Sequence, residues 1–280
     1  MIEGMIEILP VAWLEYGFMR NALIAVLLIC PLFGMMGTMV VDNRMAFFSD
    51  ALGHSVLTGI ALGVILGLSD PLAAMIAFSL LMAVGIIQVK RSGTSSTDTI
   101  IGVFASTAVA LGIVILSRGG GFAKYSRYLI GDILSIQVDE LYLLALVFAG
   151  LILFWLFFFN QMVILSVNSS LAQSRGINIQ RMELSFAMVL ALVVSISIQW
   201  VGILIISSLL VLPAAAARNV AANMHQYHTL SVAFSIIAGL TGLILSYYWG
   251  TATGATIVLC AAAIFFLTFL SRQYGGAWGS

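Results

Sequence analysis

The residues with the most distinctive chemistry are an aspartate and a histidine four positions apart, in Ser49-Asp50-Ala51-Leu52-Gly53-His54. On a helix, positions i and i+4 share one face, so the carboxylate and imidazole form a two-ligand cation site. Asp supplies charge and His supplies nitrogen. That pair suits a borderline divalent ion such as zinc or manganese, and suits sugars or lipids poorly. The same segment continues through Gly59, Gly63 and Gly67. At about 100° per residue this glycine stripe falls roughly opposite the Asp/His face, so the helix can pack closely by its glycines while its ligands face a cavity. A plainer alternative is that Ser49 or Asp50 only caps the helix, with His54 bonded to it. The surrounding run is apolar, and an ionisable residue at a membrane centre costs about 2.5–3.5 kcal/mol, which makes function the default reading.

A second candidate is the stretch Asn168 to Ile177, which reads as a very short helix. Asn168 to Ser170 offer caps, Arg175 suits the last turn and Gly176 suits a left-handed stop. Leu171, Ala172 and Ile177 supply apolar surface. The stretch is either a docking knob for a partner or a helix lying on the membrane surface. His225 and His228, at i and i+3, form either a metal-release site or a pair of solvated boundary histidines. Asp132, in a partly apolar stretch, is placed to touch an arriving cation or a partner. Asp98 opens an apolar segment and reads as its cap. Met35, Met36 and Met39 read as core filler, and Cys30 and Cys260 as small buried hydrophobes, not a disulfide.

The elements that hold these residues are membrane spans. Of 280 residues, 62% are hydrophobic and 8% charged, with a mean hydropathy of +1.14. Soluble domains carry about 25% charged residues, so the solvent here is lipid, and an ordinary soluble enzyme is excluded. Eleven Lys plus Arg balance eleven Asp plus Glu, leaving no basic excess to attract nucleic acid. The two lysines, Lys90 and Lys124, follow Val89 and Ala123, so no Gly-Lys-Ser/Thr phosphate loop and no nucleotide hydrolysis by the usual apparatus are expected.

A span needs about 20 apolar residues. Residues 1–16 read as an interfacial segment without signal-peptide character. Apolar segments then run from about Phe18 to Val41, Ser49 to Leu68, Leu72 to Val89, Asp98 to Ser117, Leu141 to Val167, Glu183 to Ile198, Ile203 to Ala217, Tyr227 to Tyr248 and Ala252 to Leu270. That is nine segments, or eight spans if the short piece containing Pro213 counts as half. A break falls at 199–202. Residues 118–138 are too short to span and too apolar for a free loop, which fits an interfacial or re-entrant helix. Seven cations share the side of Lys90 and Arg91, against four on the other. The positive-inside rule then places the N-terminus outside and the C-terminus in the cytoplasm. The expectation is an all-α bundle forming one transmembrane domain over 1–280, with 168–182 as a cytoplasmic segment.

The run Arg44-Met45-Ala46-Phe47-Phe48-Ser49-Asp50-Ala51-Leu52-Gly53-His54 resembles the Arg-Met-x-x-x-x-Asp-x-x-x-His signature of the membrane permeases of zinc and manganese ABC importers. Asp98 to Gly102, Tyr128 to Leu134, Leu171-Ala172 with Gly176, Val201 to Arg218 and Gly254 to Ala262 are similar to the same family, in the same order, over about residues 17–270. The resemblance implies a type II importer permease in a bacterial inner membrane that works as a homodimer. It further implies two cytoplasmic ATP-binding subunits and an external metal-binding protein. By that resemblance, Leu171, Ala172, Arg175, Gly176 and Ile177 fall in the family's coupling segment. Transported Zn2+, or Mn2+ or Fe2+, is the expected cargo, with no permanently bound cofactor. The tail after Val201 is most similar to the zinc-uptake branch. Some zinc members place a histidine near Ser106, and this chain has none, which argues against a histidine-rich channel. Two ligands per copy, doubled by a two-fold axis, give the four that zinc prefers. The competing class is a gradient-driven secondary cation carrier without an ATPase. Such carriers show repeated halves, and no internal repeat is visible here.

Overall fold

A computed structural model describes residues 12–93, 95–118 and 127–275. Among these residues the chain is helical without strands. A 3-10 turn, Ala12–Glu15, leads into α1 (Gly17–Asp42), followed by α2 (Ala46–Ile65), α3 (Leu72–Arg91) and α4 (Thr97–Arg118). The short α5 (Arg127–Ile130) and a 3-10 turn, Ile133–Ser135, precede the long α6 (Val138–Val167). Then come α7 (Ser169–Ser174), α8 (Ile179–Val201), α9 (Ile203–Val220), α10 (Met224–Trp249) and α11 (Thr253–Gly275).

Eight of these helices are long and apolar enough to cross a membrane: α1 to α4, α6, α8, α10 and α11. The piece after Val201 is a shorter apolar helix, about 27 Å long over the 18 residues of α9 at about 1.5 Å each. Burial separates inner from outer helices. The most apolar windows of α1, α2 and α8 are 67%, 72% and 67% buried, whereas those of α6 and α11 are 22% buried. The first three therefore form the centre and the last two face outward. Small residues allow the close packing. Gly34 abuts Val232, where Ser231 Oγ donates to the Gly34 carbonyl at 2.7 Å. Gly59 and Gly63 of α2 lie on Met75, Ala74 and Pro71 of α3 and the turn before it.

Helix ends follow local chemistry, with four differences from the sequence reading. First, α2 begins at Ala46 rather than Ser49, and Met45, its N-cap, makes no side-chain capping bond. Ser49 Oγ instead donates back to the Ala46 carbonyl at 2.7 Å. Asp50 is thus a full turn inside the helix and caps nothing. Second, Gly67 lies beyond the end of α2 with φ +69. It turns the chain and is not part of the packing stripe. Third, Ser96, not Asp98, caps α4, accepting from Thr99 N–H at 3.2 Å. Fourth, the break expected over 199–202 contracts to Gly202 alone, with α8 helical through Val201.

That break has a tertiary cause. Gly202 (φ +90) and Gly131 (φ +73) cross backbone to backbone, and a Cβ on either would overlap the other's main chain. The α5 segment therefore docks on the α8–α9 junction; residues 119–126 of the expected interfacial or re-entrant segment lie outside the described residues, as do residues 1–11 of the expected interfacial segment. Helix α6 runs between the two ends of the bundle, with the α5 segment at its start and α7 at its finish. At the α7 end, Lys90 Nζ meets Glu183 Oε1 at 3.4 Å and Arg91 donates to the Gln180 carbonyl at 2.9 Å, tying α3 to the start of α8.

Candidate metal centre

Asp50 and His54 come together as the spacing predicts, with Asp50 Oδ2 3.5 Å from His54 Nε2. A third group completes the arrangement from far along the chain. Ser207 of α9 donates its hydroxyl to Asp50 Oδ1 at 3.2 Å. The two carboxylate oxygens thus have different partners, which fixes the plane of the carboxylate. Helix α9 packs along this face of α2, with Ile203 and Ile206 beside Gly53. It is anchored at one end by Gly202 on Gly131, and at the other by Arg218, whose Nη1 lies 3.5 Å from Asp42 Oδ1 at the end of α1.

The pair is not enclosed by its own chain. The Asp50 and His54 side chains keep 45% and 32% of their surface exposed. Asp50 opens onto a shallow cavity of about 270 Å³ lined by Phe47, Ser207, Ser208, Val211 and Leu212. Among the described residues no group of three or more His, Cys, Asp or Glu side chains is arranged to hold a metal ion. One copy therefore offers a carboxylate and an imidazole, a weak and open pair of ligands suited to an ion in passage. Sequence reasoning missed Ser207. The only signal was the polar Ser207-Ser208 step inside a short apolar helix.

The remaining candidates lie elsewhere. Asn168 caps α7, accepting from the N–H groups of Ser170 and Leu171 at 2.9 and 3.1 Å. At the other end Ile177 N–H reaches the Ala172 carbonyl and Gly176 N–H the Gln173 carbonyl, both at 3.0 Å, with Gly176 at φ +75. This is a left-handed glycine stop that satisfies the last carbonyls. Ala172 is buried as the anchor, while Leu171 is 43% exposed and Arg175 is exposed. Ile177 is half-buried. Asp132 sits at the opposite end of the bundle, where Oδ1 accepts from Leu134 N–H at 3.1 Å. With Glu140, Gln199 and Trp200 it lines a polar cavity of about 370 Å³. His225 is exposed, but His228 is not the solvated histidine of the boundary reading: it is 9% exposed beside Trp155, Phe159 and Tyr227. Neither histidine lines the Asp50 cavity. Cys30 and Cys260 are both free.

An all-helical bundle of eight candidate spans, with an ionisable pair one turn inside its second helix, defines a multi-pass membrane permease. The chain belongs to the ABC 3 transport family, whose pattern matches residues 15–272. It is similar to the high-affinity zinc uptake system membrane protein ZnuB of Haemophilus influenzae, 34% identical over 85% of this chain and 91% of that protein. It is also similar to the manganese import system permease protein ScaB of Streptococcus gordonii, 32% identical over 91% of both chains. Among solved structures, PsaBC from Streptococcus pneumoniae in complex with Fab matches with a TM-score of 0.82 and 32% identity, covering 96% of this chain and 95% of that one.

Proposed function

We propose that this chain is the membrane permease of an ATP-driven importer that moves a divalent transition metal ion into the cytoplasm, with Asp50 and His54 touching the ion in passage. Zinc is favoured over manganese and iron because imidazole nitrogen suits it. The observation that carries the reading is an Asp–His pair, steadied by Ser207 and left partly exposed on an otherwise apolar helix. Hydrocarbon does not tolerate such a surface. A second copy, meeting the first across a two-fold axis, covers it and raises the ligand count to four. The similarity to ZnuB and ScaB, one named for zinc and one for manganese, supports the class of ion.

In this reading the α7 end is cytoplasmic and the N-terminus external, in a bacterial inner membrane. Two ATP-binding subunits dock on Leu171, Arg175, Gly176 and Ile177; Ala172, expected among the docking residues, is buried and anchors α7 instead. An external metal-binding protein delivers the ion at the end that carries Asp132. Asp132, His225 and His228 are weaker candidates for the path. Uptake of radioactive zinc and manganese by cells carrying Asp50→Asn or His54→Gln tests the site: uptake collapses while expression and dimerisation persist. Normal uptake by both variants would remove the pair from the pathway. Uptake that persists without any ATPase partner would favour a gradient-driven carrier.

A further inference from the structure

Asp50 has unequal surroundings on its two sides along α2. His54 lies one turn deeper, about 6 Å away along the axis at about 1.5 Å per residue, and does not line the cavity onto which Asp50 opens. Ala46 and Phe47, at the start of α2, line that cavity from the turn before Asp50. Val211 and Leu212 line it from the turn after Ser207 in α9. Both helices lead from there to the α7 end of the bundle. Arg44 and Met45, just before α2, share another cavity with Lys90, whose partner Glu183 lies near the start of α8. Arg218, in the last turn of α9, meets Asp42 before the same turn. The cavity is therefore on the α7 side of Asp50, and His54 is on the other.

Beyond Asp50, the polar side chains in the cavity wall are two serines. Ser207 donates its hydroxyl to Asp50. Ser208 is half-buried and its hydroxyl has no hydrogen-bond partner among the described residues. Other serines of the spanning helices behave differently. Ser49, Ser55, Ser166 and Ser246 each donate to the carbonyl three residues back, the usual local bond of a helical serine. The Ser208 hydroxyl is thus left for whatever enters the cavity. An ion leaving Asp50 toward α7 loses a full charge and otherwise meets the apolar side chains of Ala46, Phe47, Val211 and Leu212, which cannot replace the lost ligand. A neutral hydroxyl can take up the ion or its remaining water without trapping it, the balance that conduction needs. We propose that Ser208 is the third group on the ion's route, receiving the ion from Asp50 after His54 and passing it toward the α7 end. This order rests on the reading of Asp50 and His54 as ion ligands and extends it toward the cytoplasm.

The test uses the full-length chain with its ATP-binding subunits in the membrane. Ser208→Ala should lower the maximal rate of radioactive zinc and manganese uptake about two- to tenfold, the factor that one net hydrogen bond supplies. KM should not rise, because the ion has already reached Asp50 when it meets Ser208. The loss should be larger for manganese, which depends more on oxygen ligands than zinc does, and Ser208→Thr should restore the native rate. Ser208→Cys, with Cys260 replaced by alanine, should react with a charged, membrane-impermeant thiol reagent in inverted vesicles and not in spheroplasts. A native maximal rate in Ser208→Ala overturns the proposal, as does a Ser208→Cys thiol that does not react from the cytoplasmic face. Lost dimerisation of Ser208→Ala would assign the hydroxyl to the contact between copies and also overturn it. If any of these results accompanies a collapse of uptake in Asp50→Asn, only Ser208 leaves the route. Normal uptake by both Asp50→Asn and His54→Gln instead removes the underlying site.

Discussion

At the scale of single residues, the two oxygens of Asp50 have separate duties. One faces His54 and the other accepts from Ser207. Asp50→Asn keeps the size of the side chain and removes its charge. Capping is not at stake, because Asp50 lies a turn inside α2. Metal uptake should therefore fall to background in transport assays at unchanged expression. Ser207→Ala is a milder change that loses one hydrogen bond to a charged group, at most about 1.5–3 kcal/mol and less at a half-exposed site. It should raise the KM for metal several-fold with little change in maximal rate, and Ser207→Thr should restore the native value. Acid should weaken uptake in the native protein, because protons compete with the ion for carboxylate and imidazole. The sign is fixed: both groups bind metal only when deprotonated, so a rise in uptake with acid would contradict the site.

At the scale of elements, α7 and α9 matter most. Helix α7 is six residues long and survives because both its ends are closed, by Asn168 and by Gly176. Gly176→Val meets no steric neighbour. It fails instead on backbone conformation, since a β-branched residue disfavours the φ of +75 found there. The stop should unwind, lowering uptake and ATPase docking while the permease still reaches the membrane. Leu171→Asp should do the same by removing the exposed apolar contact. Pull-down of the ATP-binding subunit with each variant measures this, and normal capture by both would exclude α7 as the docking knob. Helix α9 links three regions: its start is clamped by the Gly131–Gly202 crossing, its second turn holds Asp50 through Ser207, and its end meets Asp42 through Arg218.

At the scale of the whole molecule, the unfinished feature is the exposed site. Phe47 beside it is 65% exposed, and an ionisable pair facing hydrocarbon would be unfavourable. The second copy proposed above, placed across this face, would resolve both. Phe47→Cys, in a background with Cys260 replaced by alanine, should form a cross-linked dimer with a short bifunctional thiol reagent. The same variant should cross-link poorly if the copies meet elsewhere. The purified chain should hydrolyse no ATP, and hydrolysis should appear only with a separate ATP-binding subunit.

What the sequence determined by itself was set by short-range rules. Hydropathy and length found the eight candidate spans among the described residues, with the Pro213 piece as the shorter ninth segment, because hydrocarbon forces each crossing segment to satisfy its own backbone as a helix. The i, i+4 rule joined Asp50 to His54, since both lie on one helix and need no tertiary information. The ends of α7 were equally legible in Asn168 and Gly176. Long-range contacts were not. Ser207 lies 157 residues from Asp50, and only the packing of α9 against α2 brings them together. The start of α2 at Ala46 was hidden because no capping side chain marks it, and the sequence placed the start of the segment three residues too late, at about Ser49. His228 looked solvated beside a polar stretch, yet α6 folds back over it and buries it among aromatic rings. Periodicity says which face a residue occupies; only the tertiary structure decides which helix covers that face, because that choice rests on matching surfaces far apart in the chain.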